Sequence, residues 1–185
     1  MIDPRSFRRA FGMFATGVTV IAAEVKDETL AMTANAVTSV SLDPLLVLVC
    51  VGKQARLAGF LDDVTGFSIN VLREDQQALS TYFAGGWREP EPPPFRFVPW
   101  GTAQRLEGCL AAVACRSYEI VPGGDHWIVV GEVVDTHIGI EPHRPLLFYA
   151  GQYGRANTLV RDPAPDLGWV EKPVQVFLDP WQKES

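Results

Sequence analysis

Residues Ala31–Pro44 read AMTANAVTSVSLDP, and the run that follows, Leu45–Val51, reads LLVLVCV. In the first, Thr33, Asn35, Thr38, Ser39 and Ser41 place a short polar group every one or two positions along a strand-like stretch, with Ala34 and Ala36 between them. Small side chains let a flat ligand approach the backbone, whose N–H and C=O groups then read its polar edge. The same composition suits the polar face of an edge strand, which needs no ligand. The second run is uninterrupted, apolar and of strand length, so it is expected to be covered on both faces.

Outward from this centre, most of the chain reads as strand. Thr16–Val25, Phe67–Leu72, Leu110–Val121 and Trp127–Val134 are rich in Val and Ile, and Leu146–Tyr149 is a short last strand. Asp43-Pro44, Pro122–Asp125 and Glu141-Pro142 supply turns. Three helices are expected. The first starts at Asp3-Pro4, with Phe7, Ala10, Phe11 and Phe14 on one face and Gly17 as a stop. The second covers Gln54–Asp63, and the third runs from about Glu74 to Ala84 with Leu79 and Phe83 paired. Strands this numerous and closely spaced exclude a parallel dinucleotide-binding sheet. They fit a mainly β fold, a small antiparallel barrel, closed or split, with a few helices. The segment Glu89–Pro99 (EPEPPPFRFVP) holds five prolines and is expected to be a long surface loop, either a stiff connector or a contact arm.

The chain has 185 residues, 16 Lys+Arg against 22 Asp+Glu, a net charge of −6 and 47% hydrophobic residues. So apolar a composition excludes a disordered chain, and the acidic balance argues against nucleic acid as a partner. No stretch approaches the roughly 18 to 20 apolar residues of a membrane helix. The start, Met1–Arg9, carries Asp3, Pro4, Arg5, Arg8 and Arg9 and does not read as a signal peptide. The expectation is a cytoplasmic protein with one domain over residues 1–153. Residues 154–185 then form an extension with Trp169, Val174, Val176, Phe177 and Trp181 that packs on the body or on a partner subunit. Cys50, Cys109 and Cys115, an odd number inside apolar runs, read as buried free thiols. His126, His137 and His143 lack a metal-ligand pattern, so no metal site is expected. Phosphate-loop, serine-elbow and zinc-helix motifs are missing.

Several segments, in order, resemble one family. They are Phe7-Arg8-Arg9-Ala10-Phe11-Gly12 with Ala15–Val20, and Met32-Thr33-Ala34-Asn35 through Ser39–Pro44. Phe67–Leu72 with Phe83-Ala84-Gly85 follows, then Gly124-Asp125-His126 before Ile128 and Gly131, then Tyr149 and Tyr153. Together they resemble the flavin reductase-like, FMN-binding split-barrel family, which supplies the NAD(P)H:flavin oxidoreductase components of two-component monooxygenases. The chain departs from the pattern at Ala36, often Ser in the family, and at Ala55 and Leu57, near which the family often carries phosphate-holding hydroxyls.

The resemblance implies a Greek-key-like split barrel, a homodimer, FMN or FAD as the bound flavin, and NADH or NADPH as hydride donor. It implies that Thr33, Ala34, Asn35, Ser39, Val40 and Ser41 line the ring and ribityl chain, with Phe83 and Tyr153 nearby. Lys53, Gln54 and Arg56 lie at the start of the second expected helix, where backbone N–H groups and two cations favour an anion; the alternative is solvated surface cations. Phe83 alternatively packs in the core. His126 is expected at the barrel rim beside the nicotinamide, positioning it, or else merely capping a turn. Hydride then passes to the flavin, which serves a separate oxygenase. The competing readings are a non-catalytic flavin- or haem-binding split-barrel protein, and a related oxidase or deazaflavin-dependent reductase.

Overall fold

The computed structural model describes residues 2–140 and 144–156. The expected Glu141-Pro142 turn, His143 and the extension from residue 157 onward lie outside the described residues. Helix α1 spans Pro4–Gly12. Strands β1 Thr16–Gly17, β2 Thr19–Val25, β3 Glu28–Ala34, β4 Val37–Leu42 and β5 Leu45–Gly52 follow. A 3-10 helix, Arg56–Asp63, leads to β6 Gly66–Val71, and a 3-10 turn at Glu74–Gln76 opens α2, Gln77–Phe83. The remaining strands are β7 Phe97–Trp100, β8 Ala103–Leu106, β9 Ala111–Gly123, β10 His126–Ile138, β11 Leu146–Tyr149 and β12 Gln152–Arg155.

Seven strands form one sheet in the order β3-β2-β6-β9-β10-β5-β4, with every ladder antiparallel. The sheet curls until Leu30 and Ala34 of β3 share one buried cluster with Val47, Val49 and Val51 of β5, although no ladder joins β3 to β4. The mainly β split barrel is thus as expected. Its interior is filled by Ile21, Ala23, Phe67, Ile69, Cys115 and Val129, with Leu57 and Leu61 closing one end. At Gly131 an added Cβ would stand 2.6 Å from Phe67 Cζ and 2.7 Å from Cys115 Cβ, so the missing side chain there admits both neighbours. A second cluster, Val18, Val20, Leu72, Leu79, Leu106 and Leu146, lies outside the barrel under α2, β8 and β11. Asn70 joins the layers: its Nδ2 donates to the Val20 carbonyl (3.0 Å) and Ser68 Oγ (2.8 Å), and its Oδ1 accepts from Leu106 N (2.9 Å).

Several expectations are corrected. The stretch Ala31–Pro44 is two strands, not one, and they are the opposite edges of the large sheet, separated at Asn35-Ala36. Two-sided burial belongs to β2 and β6, which have the second cluster on their outer side. Strand β5 buries only Val47, Val49 and Val51; no layer of the described chain covers Leu46, Leu48 and Cys50, which are half-buried. Cys50 is therefore not fully buried, unlike Cys109 and Cys115, and all three thiols are free. Thr16–Val25 breaks at Val18, which passes from the β1-β11-β12 sheet into the barrel. The second helix begins at Arg56 and is 3-10: Ala55 offers no capping side chain, and Gly59 weakens an α-helical interior. Helix α1 has the expected Asp3 cap but ends at Gly12, whose carbonyl accepts Ala150 N–H. The Pro-rich segment yields to β7 at Phe97, and Pro99 is tolerated because β7 pairs with β8 alone.

Candidate active site

The hydroxyl of Thr33, on edge strand β3, donates to the Ser80 carbonyl of α2 at 2.7 Å. The Ser80 hydroxyl, fully buried, lies 2.9 Å from the Tyr153 phenol on β12. Three elements remote in sequence are thereby joined, and α2 is held against the barrel edge. The crossing from β3 to β4 is pinned as well. Thr19 Oγ1 donates to the Ala34 carbonyl at 2.7 Å, Cys50 N donates to the Ala36 carbonyl, and Asn35 Nδ2 donates to Thr16 Oγ1 at 3.3 Å.

Between these elements lies a pocket of about 170 Å³, lined by Thr33, Ala34, Asn35, Ser80, Phe148 and Tyr153 among others. Thr33 and Ala84 also line a larger cleft of about 780 Å³, so the two hollows are contiguous. That volume falls in the range of roughly 300 to 1,000 Å³ typical of small-molecule sites. Ala31, Ala55, Ala84 and Gly85 keep the cleft clear of bulk. Its apolar wall is a ring cluster of Tyr82, Phe83, Phe95 and Phe97, with centroids 5.0 to 5.9 Å apart. Phe95 comes from the Pro-rich segment, which is anchored beside it by the Arg96–Glu107 ion pair and so contributes to the cleft wall. Arg56 faces the cleft with its guanidinium on Glu28, Nη2 to Oε2 at 2.7 Å.

The β9–β10 hairpin turns through Gly124 and Asp125, Gly124 at φ +72°, as two-residue hairpins require. Its first strand residue, His126, pairs with Gly52 of β5, where the imidazole packs within ordinary contact distance of an added Cβ. His126 Nδ1 lies 2.8 Å from Asp125 Oδ1. The His126 hydrogen bond, and then its charge, hold the Asp125 carboxyl below the usual carboxylate range, with a smaller contribution from Arg8. With Asp125 ionised, Nδ1 carries the proton shared with the carboxylate, and Nε2 is the ring nitrogen left for another partner. Lys53 N donates to the Asp125 carbonyl, and Lys53 Nζ sits 4.8 Å from the Trp127 ring centroid.

The expected site residues therefore fall into three groups. Thr33, Ala34, Asn35, Arg56, Phe83 and Tyr153 line the contiguous hollows. Ser39, Val40 and Ser41 stand on β4, the other sheet edge, and line neither; the Ser41 hydroxyl accepts Asp43 N–H in the following turn. Lys53 and Gln54, in the turn before the 3-10 helix, and His126, at the hairpin beside Lys53, form the third group and line neither hollow. Sequence reasoning missed Ser80, Phe95 and Glu28. Only Phe95 carried a signal, through the expectation of a contact arm; Ser80 and Glu28 acquire meaning from partners more than 25 positions away.

The chain matches the family described as Flavin reductase like domain over residues 11–157. It is 39% identical over 153 residues to the 4-hydroxyphenylacetate 3-monooxygenase reductase component of Thermus thermophilus, covering 81% of this chain and 95% of that protein. It is also 39% identical over 164 residues to an NADH-dependent flavin reductase of a Rhodococcus species, covering 87% and 91%. Among solved structures it is similar to the flavin reductase PheA2, with a TM-score of 0.78 and 40% identity over 83% of this chain and 98% of that one.

Proposed function

This chain belongs to the flavin reductase-like domain family, and from that premise we propose that it transfers hydride from a reduced nicotinamide dinucleotide to FMN or FAD and supplies the reduced flavin to a separate oxygenase component. NADH is the donor we favour, as in the Rhodococcus relative. The observation that carries the reading is the pair of contiguous hollows at Thr33. A planar ring fits where Ala31, Ala84 and Gly85 withhold bulk, with the Phe83–Phe95 cluster as apolar wall and Thr33, Asn35 and Tyr153 as polar edge.

Bound flavin supplies the hydride-accepting ring position, which the protein itself lacks. The residues of this chain bind and orient. Thr33 and Tyr153, tied through Ser80, hold α2 against the barrel edge and keep the pocket in shape. Arg56 is the cation available to a flavin phosphate, while Lys53 and Gln54 stand at the turn leading to it. His126, its Nδ1 engaged by Asp125, offers Nε2 to the nicotinamide dinucleotide and positions it; hydride transfer requires no protein base. We assign Ser39, Val40 and Ser41 to the flavin or to the subunit contact beside it.

A homodimer is part of the proposal. Phe7 and Phe11, stacked on α1, and Phe14 just beyond its end form an apolar stripe, each ring more than 60% exposed. The outer face of β5 and β10, with Leu46, Leu48, Ile128 and Val130, is also left partly open. The extension 154–185 would pack on the body or across that contact. No helix among the described residues is long and apolar enough to cross a membrane, and we place the protein in the cytoplasm, where three free thiols persist. The test is to mix purified protein with NADH or NADPH and FMN or FAD and follow nicotinamide oxidation. Flavin-dependent oxidation in at least one pairing is expected; none in all four would remove the proposal.

A further inference from the structure

Among the described residues lining the large cleft, one cation and one anion occur, Arg56 and Glu28, and they are bound to each other at 2.7 Å. Glu28 opens β3, and Arg56 opens the 3-10 helix, so the pair spans the cleft between two elements 28 positions apart in sequence. The neighbours of Arg56 within the cleft, Ala55 and Leu57, have no side-chain donor. The nearest other cation along the chain, Lys53, lies over the Trp127 ring. We propose that Glu28 is a specificity-determining residue that competes with the flavin phosphate for Arg56, so that flavins are selected by ring and ribityl chain with little regard to phosphate. The proposal rests on reading this cleft as the flavin site.

The physical argument is one of exchange. A phosphate entering the cleft takes the Arg56 guanidinium only by releasing it from Glu28, so one charge-assisted hydrogen bond replaces another and the net gain is small. The released carboxylate then stands beside a phosphate of the same sign, which lowers the gain further. Riboflavin, which has no phosphate, meets neither effect. The result is a flavin held loosely enough to leave after reduction, as the supply of a separate oxygenase requires.

The experiment measures dissociation constants of riboflavin and FMN, by quenching of flavin fluorescence at fixed ionic strength, for wild type, Glu28→Gln, Arg56→Gln and the double variant. Glu28→Gln is expected to raise the riboflavin-to-FMN ratio of dissociation constants roughly threefold to fivefold, the scale of an exposed ion pair. Adding Arg56→Gln is expected to abolish that rise. Both side chains are more than half exposed, and a thermal melt verifies that each variant is folded. A ratio unmoved by Glu28→Gln, or a rise that persists without Arg56, overturns the inference while leaving the flavin site in place. Failure of wild type to bind either flavin overturns the flavin site as well.

Discussion

The fully buried hydroxyl of Ser80 and the phenol of Tyr153 meet at 2.9 Å, 73 positions apart in the chain, and this contact fastens α2 to β12 across the mouth of the smaller pocket. Replacing Tyr153 with Phe leaves the Ser80 hydroxyl without that partner, at a cost of about 1 to 3 kcal/mol for an unsatisfied buried group. Urea unfolding should register the loss, and flavin titration should show weaker binding. A Ser80→Ala, Tyr153→Phe double variant should recover part of the stability, because both polar groups are then removed together.

Replacing His126 with Ala is expected to raise the KM for NADH about tenfold or more and leave flavin affinity within about twofold, a difference of roughly 1.4 kcal/mol directed at one substrate. Steady-state kinetics with each substrate varied in turn provides the check. Equal losses for both would make His126 structural.

The pH behaviour of the hairpin follows from Asp125. Its carboxyl is held below the usual carboxylate range by His126. A depressed folded value means that its contribution is present above the ordinary carboxylate pKa and is lost as pH falls through the lowered one. Asp125 therefore stays ionised from pH 5 to pH 8, and any change in NADH KM over that window comes from another group. Asp125→Asn should raise the NADH KM at every pH in that window, because it removes the carboxylate that holds His126 Nδ1.

Gly131 faces Phe67 and Cys115 in the barrel interior, so Gly131→Ala drives a methyl to within 2.6 Å of a ring carbon. Overpacking of this kind costs about 1 to 3 kcal/mol. Chemical denaturation should show the midpoint falling with the slope unchanged.

Burial pushes the Cys115 thiol up to about 12 and raises Cys109 as well, whereas Cys50 is half-buried on the open side of β5. A thiol reagent at pH 8 should label Cys50 first, with Cys109 and Cys115 reacting only on unfolding. For Cys115 the folded value is the higher one, so its contribution is complete below the ordinary thiol pKa and declines as pH rises from there to about 12.

The barrel was legible where local chemistry and tertiary demand coincide. Asp3-Pro4 starts α1 as written, and Gly124-Asp125 turns the long hairpin because a glycine there accepts positive φ. The Val- and Ile-rich runs became β2, β6, β9 and β10. Less legible was the division at Asn35-Ala36, since β3 and β4 carry the same alternation of small and polar residues and only the ladders assign them to different edges. Strands β7, β8 and β12 are four residues each, too short to stand out by periodicity. At the site, Thr33, Asn35 and Tyr153 were singled out beforehand, but their junction is Ser80, a hydroxyl inside an ordinary helical segment. The stripe on α1 was plain from spacing, yet nothing in spacing tells a core-facing stripe from one left open, as Phe7 and Phe11 are.

The link between the barrel's two unzipped margins has mechanical consequences. Only Asn35 and Ala36 separate them, and the carbonyls of Ala34 and Ala36 are each clamped, by Thr19 and by Cys50. A chain covers at most about 3.6 Å per residue, so this tether is nearly inextensible and the slit cannot gape at that end. A guest therefore meets a fixed margin there, with α2 and Phe95 as the wall of the cleft beside it. The spacing of the two margins at that end is thus set by two residues.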